Sequence, residues 1–158
     1  MSAAPTLAAD LARTIRDIAD FPKPGIGFKD ITPVLLDAAL FRRTTDALAA
    51  AFGDARVTHV LAIESRGFIF GAPVAQALGV GFVPLRKPGK LPHVRVSERY
   101  DLEYGSDALE VHLDALRAGD RALIVDDLLA TGGTAAAAVR LVERCGAQLA
   151  GVGAVIDL

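Results

Sequence analysis

Apolar residues recur along the chain at two spacings, and each spacing predicts a different element. The first helix is marked by apolar residues three or four positions apart: Leu7, Leu11, Ile15 and Ile18. This helix is predicted to end near Asp20, because residues 21–30 carry prolines and glycines that prevent a regular helix. A second helix is predicted over 38–52, where Gly53 ends the pattern.

Short apolar runs in the rest of the chain have the composition of strands. Strands are predicted at four places: 57–63, 80–85, 121–126 and 148–156, and the run before Asp126 is typical of a strand buried on both faces. Helices are predicted between them, one ending near Leu78 and one over 133–145. Strands that alternate with helices indicate an α/β fold, with a mostly parallel twisted sheet flanked by helices and right-handed crossovers.

The region 94–113 follows a different pattern, in which apolar and polar residues alternate. Alternation is typical of antiparallel strands with one buried face, and Gly105-Ser106 is a plausible turn between two of them. We therefore predict a hairpin that projects from the sheet as a flap over about 88–113.

Composition and charge fit one globular domain over residues 1–158. Apolar residues make up 52% of the chain and charged residues 23%, and the net charge of −2 gives no general attraction to nucleic acid or to a membrane. The single cysteine fits a reducing compartment, and the N-terminus lacks the basic start and apolar core of a signal peptide. We expect a cytoplasmic protein.

The segment 122–134 carries the strongest chemical signal. An apolar strand runs into Asp126 and Asp127, and the loop Thr131-Gly-Gly-Thr134 follows and opens a helix. Free backbone amides at a helix N-terminus form an anion site, and the carboxyl ends of parallel strands are where such sheets bind ligands. Carboxylates beside a phosphate site indicate a phosphorylated sugar or a nucleotide.

Basic residues follow the two preceding strands of the predicted sheet. Arg66 lies in the loop after the strand 57–63, and Arg86, Lys87 and Lys90 follow the strand 80–85. Exit loops of parallel strands meet at one edge of a sheet, so these cations converge beside the phosphate loop. A ligand with two separated phosphate groups would suit that arrangement.

Several motifs resemble those of the type I phosphoribosyltransferases and, more narrowly, the adenine phosphoribosyltransferases. The motifs are the Asp-Asp and Thr-Gly-Gly-Thr stretch, residues 21–30, Glu64-Ser-Arg-Gly-Phe68, residues 86–92 and Tyr100-Asp-Leu-Glu-Tyr-Gly105. The resemblance covers about residues 7–157. It implies the type I phosphoribosyltransferase fold and a reaction of adenine with 5-phosphoribosyl 1-diphosphate (PRPP) that gives AMP and diphosphate. It also implies Mg²⁺ chelated by the substrate, and a homodimer.

The resemblance assigns roles to four groups of residues. The 5-phosphate and the ribose would be bound by Asp126, Asp127, Ala130, Thr131, Gly132, Gly133 and Thr134. The diphosphate would be bound by Arg66, Arg86, Lys87 and Lys90, and adenine by Gly27, Phe28, Lys29 and Leu128. Residues acting at the reacting centre would be Glu103, Tyr104 and Arg66, and no residue is assigned as a metal ligand.

Two alternatives remain at this point. One is a transferase for another purine, namely hypoxanthine, guanine or xanthine, although residues 152–158 contain no lysine that could bind a 6-oxo group. The other is a regulator that keeps the sugar-diphosphate site without catalysis. Such regulators usually carry an added DNA-binding segment, for which a chain of 158 residues leaves no room.

Overall fold

The computed structural model describes residues 6–102 and 105–158, which form two compact units. The first unit extends to Ala47 and the second begins at Leu48. The expected single domain over residues 1–158 therefore stays a prediction. Within the described ranges, no helix has the length and apolar character needed to cross a membrane.

The first unit combines short helices with a small antiparallel sheet. Its elements are α1 (Leu7–Thr14), β1 (Arg16–Ile18), β2 (Phe28–Asp30), α2 (Thr32–Leu36) and the start of α3 (Ala38–Ala51). Asp37 caps α3, because its Oδ1 accepts the backbone N–H groups of Ala39 and Leu40, both at 3.0 Å. The buried carboxylate of Asp10 joins α1 to α3 through Arg43 at 2.8 Å.

The first helix is shorter than its apolar spacing predicts. Helix α1 ends at Thr14 rather than near Asp20, because the next residues pair with β2 in antiparallel register, Ile18 opposite Phe28. Ile18 suits a helix in the sequence pattern, yet it lies in a strand with 38% of its surface exposed. A distant strand partner thus overrides a weak local preference for helix.

The second unit is built on a parallel sheet, as the sequence predicts. Strands β3 (His59–Ile63), β4 (Gly81–Leu85), β7 (Arg121–Leu129) and β8 (Gln148–Asp157) lie in the order β4-β3-β7-β8, with every neighbouring pair parallel. Helix α4 (Arg66–Leu78) follows β3, and α5 (Gly133–Arg144) follows β7. The middle residues of β3 and β7 are fully buried, as expected for central strands of such a sheet.

The hairpin consists of β5 (Arg95–Leu102) and β6 (Gly105–His112), which form a separate two-stranded sheet. The predicted turn at Gly105-Ser106 is wrong, because these residues belong to β6 and pair with Leu102 and Asp101. The hairpin also does not project along its whole length. Its inner face supplies buried residues to the core of the unit: Tyr100, Leu109 and Val111.

Candidate active site

The predicted phosphate loop joins β7 to α5. Strand β7 continues through both aspartates to Leu129, three residues beyond its predicted end, and α5 begins at Gly133 after the short loop Ala130–Gly132. The first amides of a helix have no partner within it, so this loop presents donors and the positive end of the helix dipole. A cavity of about 130 Å³ is lined by the loop and by Asp126 and Leu128.

Gly133 lies where the phosphate loop meets the hairpin. A Cβ atom at this position would be 3.2 Å from the backbone oxygen of Asp101 in β5. A larger residue would therefore press on the hairpin as well as on the anion site. The sequence motif identified only the second of these reasons for glycine.

Asp126 and Asp127 are neighbours on β7 with different environments. Asp127 is buried, and its Oδ2 lies 2.9 Å from Nε of Arg66 at the start of α4. This contact is an ion pair without hydrogen-bond alignment, and Oδ2 accepts no hydrogen bond from the described part of the chain. The charge of this oxygen is thus compensated by the adjacent guanidinium rather than by a hydrogen bond.

Asp126 faces the cavities and has no cation at ion-pair distance among the described residues. Its Oδ1 accepts the backbone N–H of Asp127 at 2.9 Å. Burial, together with the charge of Asp127, raises the pKa of Asp126 to about 7, although the hydrogen bond from the Asp127 backbone and the Arg66 guanidinium both lower it. Gly67 permits this packing, because a Cβ there would be 2.9 Å from the same Oδ1.

A second cavity, of about 180 Å³, adjoins the first. Its own lining is formed by Glu64, Ser65, Arg66, Lys87, Tyr100 and Asp127. Both cavities share Ile63, Asp126, Leu128 and Thr134. The structure thus places Arg66 and Lys87 in a cavity beside the phosphate loop, with Asp126 on the wall that both cavities share, and this matches the predicted convergence of the exit loops.

Glu64 organises the basic loop after β4. One of its oxygens accepts Nε of Arg86 and the backbone N–H of Lys87, both at 2.7 Å. Burial alone would raise the pKa of Glu64, but these hydrogen bonds outweigh burial and keep the pKa below its usual value. The carboxylate therefore stays charged and joins the exit loops of β3 and β4.

The predicted diphosphate ligands have unequal surroundings. Arg66 and Lys87 line the second cavity, Arg86 is paired with Glu64, and the side chain of Lys90 is exposed. Lys87 itself donates to Tyr100 and Asp107 on the hairpin. The predicted acid–base residues Glu103 and Tyr104 lie outside the described residues.

The predicted adenine ligands Gly27, Phe28 and Lys29 belong to the first unit. The Phe28 ring packs edge-on against Phe21, with 5.0 Å between the centroids. The Lys29 ammonium forms an ion pair with Asp17 on the neighbouring strand β1. The adenine slot between Phe28 and Leu128 involves residues of both units and stays a prediction.

Comparisons with known proteins agree with this arrangement. A family model described as the phosphoribosyl transferase domain matches residues 35–157. The adenine phosphoribosyltransferase of Myxococcus xanthus is 62% identical over 146 residues, which are 92% of this chain and 79% of that protein. This chain belongs to the adenine phosphoribosyltransferases of that family.

Solved adenine phosphoribosyltransferases share the fold. The enzyme from Rhodothermus marinus superposes with a TM-score of 0.91 at 51% identity, covering 96% of this chain and 86% of that one. The Saccharomyces cerevisiae enzyme superposes with a TM-score of 0.90 at 43% identity, covering 96% of this chain and 89% of that one. The yeast structure holds adenine and an imino-altritol bisphosphate. The predicted type I phosphoribosyltransferase fold, with its hairpin, is confirmed.

Sequence reasoning missed several polar residues around this adenine phosphoribosyltransferase site. They are Glu64, Tyr100, Asp107 and Glu110, and each contacts the basic loop after β4. Glu64 and Tyr100 stood in recognised motifs but had no assigned role. The sequence pattern could not have found Glu110, because alternation in β6 predicts that it faces solvent, yet it is only 6% exposed in the structure.

Proposed function

We propose that this protein transfers the 5-phosphoribosyl group from PRPP to N9 of adenine. In this reaction the bond from C1 of the ribose to the diphosphate breaks, and the bond from C1 to N9 forms. AMP and diphosphate are the products, and the N9 proton leaves the base. The observation that carries the proposal is the pair of adjoining cavities, one lined by the phosphate loop and the other containing Arg66 and Lys87, with Asp126 in the wall that they share.

The phosphate loop would bind the 5-phosphate through backbone amides of Ala130–Thr134, with the hydroxyls of Thr131 and Thr134 as further donors. The ribose hydroxyls would donate to Asp126 and Asp127. Both aspartates line the second cavity, which supports that role. Together these contacts would fix C1 relative to the base.

The leaving diphosphate would bind in the second cavity. Arg66 and Lys87 line that cavity, and Arg86 and Lys90 lie on the same loop as Lys87. Bond cleavage places developing negative charge on the diphosphate and positive charge on the ribose. Fixed cations on the leaving group and carboxylates near the ribose would stabilise both charges in the transition state.

The base would bind between Phe28 and Leu128, with backbone groups around Gly27 and Lys29 at its edge. We propose that Glu103 takes up the purine proton and that Tyr104 covers the reacting centre, which excludes water from the ribose cation. The pairing of Lys29 with Asp17 supports a backbone contact to adenine rather than a side-chain contact.

Magnesium would enter with PRPP, as a chelate of the diphosphate. Among the described residues, no group of three or more His, Cys, Asp or Glu side chains is placed to hold a metal on its own. The carboxylates of Asp126 and Asp127 nevertheless suit a labile Mg²⁺, which is commonly bound by one or two carboxylates together with substrate phosphates. When bound, the ion would neutralise charge on the leaving group.

An assay of base preference tests the proposal. The purified protein would receive Mg²⁺ and PRPP with adenine, guanine, hypoxanthine or xanthine, and nucleotide and diphosphate would be measured separately. We expect the kcat/KM for adenine to exceed that for the other bases by about 100-fold or more. Equal use of a 6-oxopurine would contradict the adenine assignment. Binding of PRPP without turnover would favour the regulator.

The remaining proposals concern the oligomeric state and the cellular location of the enzyme. We propose that it works as a homodimer in the cytoplasm. Exposed apolar side chains on the second unit support the dimer, among them Val94 and Leu113, which are 58% and 52% exposed. The single cysteine, Cys145, supports a reducing compartment.

A further inference from the structure

A lysine in the wall of the second cavity is bound by both strands of the hairpin. The Lys87 ammonium donates to the phenol oxygen of Tyr100 at 2.7 Å and to Oδ2 of Asp107. The same ammonium lies 5.4 Å from the centroid of the Tyr100 ring. We refer to Lys87, Tyr100 and Asp107 as the Lys87 bridge. It connects the loop after β4 to the hairpin.

The Lys87 bridge meets the hairpin close to the end of its described ladder. Tyr100 on β5 and Asp107 on β6 are direct partners, and only the pairs Asp101–Ser106 and Leu102–Gly105 follow them. Tyr100 is buried, so its ring cannot shift without disturbing the core. A side chain that binds both members of a pair fixes the tilt of the ladder at that point.

The other contacts between this loop and the hairpin lie further from the tip. Backbone hydrogen bonds join Arg86 to Glu110 in both directions, at 2.9 Å and 2.7 Å. Glu110 also accepts the backbone N–H of Gly89 at 3.1 Å. These contacts hold the base of the hairpin. Among the described contacts between this loop and the hairpin, the Lys87 bridge is therefore the one nearest the end of the ladder.

Lys87 and Asp107 each favour the charged form of the other. Burial would lower the pKa of Lys87, but the hydrogen bonds to Asp107 and Tyr100 outweigh burial and raise the pKa. The hydrogen bond from Lys87 likewise lowers the pKa of Asp107, although burial opposes it. Both groups therefore stay charged at neutral pH, and the bridge persists beside a cavity that an anion would enter.

We propose that Asp107 is a positioning residue for phosphoribosyl transfer, acting through the Lys87 ammonium to orient the last described pairs of the ladder, which flank Glu103 and Tyr104 in the sequence. This inference rests on the proposed function. A different role for Asp107 would be to compete with diphosphate for Lys87. The two roles have opposite kinetic consequences, since competition acts on substrate binding and positioning acts on turnover.

Asp107→Asn tests the proposal, because asparagine keeps the shape of the side chain and removes its charge. We expect kcat to fall about tenfold or more, while the KM for PRPP changes by less than about threefold. Asp101→Asn is the matched control, since Asp101 is an exposed carboxylate one position nearer the tip of the same hairpin. A lower KM with unchanged kcat would show competition and overturn the proposal.

A double-mutant cycle tests whether Asp107 acts through the lysine. In a Lys87→Met background, Asp107→Asn should lower kcat by less than about twofold, because the partner is already absent. An equal loss of kcat in both backgrounds would overturn the proposal. Thermal unfolding of each variant would separate loss of turnover from loss of folded protein.

Hydrogen exchange provides a readout that is independent of turnover. Amides of the ladder near Tyr100 should exchange faster in Asp107→Asn and in Lys87→Met, and at the wild-type rate in Asp101→Asn. An inactive wild-type protein with this exchange pattern would refute the proposed function and leave the structural part of the inference standing. Unchanged exchange in Asp107→Asn would refute the inference alone.

Discussion

Individual side chains at the carboxyl end of the sheet differ in how their charge is compensated. Asp127 is buried beside the Arg66 guanidinium, whereas the pKa of the neighbouring Asp126 responds more to the charge of Asp127 than to that of Arg66. Burial and that neighbouring charge raise the pKa of Asp126 to about 7. The ionised form of Asp126 is therefore unfavourable in the free protein, and donors from a ribose would stabilise it.

This cost makes the stability depend on pH in a defined direction. A carboxyl whose pKa is raised on folding binds more protons in the folded state than in the unfolded state. The contribution of Asp126 to stability is therefore fully present below a pH of about 4 and is lost as the pH rises to about 7.

Asp126→Asn should remove that dependence. Between pH 5 and 7 the free energy of unfolding of the wild type should fall relative to that of the variant, by at most about 1.4 kcal/mol per pH unit. Urea titrations at several pH values would measure the difference. Asp101→Asn, in which an exposed carboxylate is lost, should run parallel to the wild type. Parallel profiles for Asp126→Asn would contradict the raised pKa.

At the scale of elements, helix α5 connects the phosphate loop to the hairpin. Its N-terminal Gly133 approaches Asp101, and two arginines further along the helix contact the same strand. Arg140 and Arg144 pair with Glu98 at 2.6 Å and 3.0 Å, and they also donate to backbone oxygens of Arg99 and Ser97. Residues at these intervals share one face of a helix, so this face follows β5 toward the hairpin tip.

Glu98→Gln should loosen this contact without disturbing the core. Hydrogen bonds from Arg140 and Arg144 hold the pKa of Glu98 below its usual value, so the variant loses a charged partner of both arginines. We expect amides of β5 to exchange faster while the amides of the parallel sheet do not change. The exposed Glu143→Gln on the same helix is the control. Equal exchange in both variants would show that Glu98 does not hold the strand.

At the scale of the whole molecule, a slightly acidic chain gathers four basic residues where two strands of the sheet end. The net charge is −2, yet Arg66, Arg86, Lys87 and Lys90 follow two neighbouring strands. Local convergence rather than overall charge would therefore attract an anionic substrate.

The proposed dimer makes a prediction at the same scale. Light scattering of the purified protein should give a mass twice the 16.5 kDa of the chain, because burying the exposed apolar side chains of the second unit favours association. Specific activity should fall when dilution separates the subunits. A stable monomer with full activity would contradict the dimer.

Much of the architecture follows from local patterns. The apolar runs of β3, β4 and β7 and the alternation of the hairpin identify strands without any knowledge of their partners. Because the exit loops of parallel strands lie at one edge of the sheet, the same pattern predicts that Arg66 lies near the segment after β7, and in the structure Arg66 lines a cavity beside the phosphate loop.

Local patterns do not predict the contacts between segments that are distant in the sequence. Glu64 binds a loop 22 residues away, and Lys87 reaches Asp107 over 20 residues. The end of α1, the extent of β7 and the hairpin register likewise depend on partners elsewhere in the chain. The spacing of apolar residues predicts which face of an element is buried, but it does not predict which strand will be its neighbour.

The sequence by itself therefore determined the family, the parallel sheet and the residue types gathered where its strands end, because these depend on periodicity and on short motifs. Only the tertiary structure decided how those residues are paired: Asp127 with Arg66, Glu64 with Arg86, and Lys87 with the hairpin. Pairing is set by the packing of whole elements. Packing brings together charges that no local pattern relates.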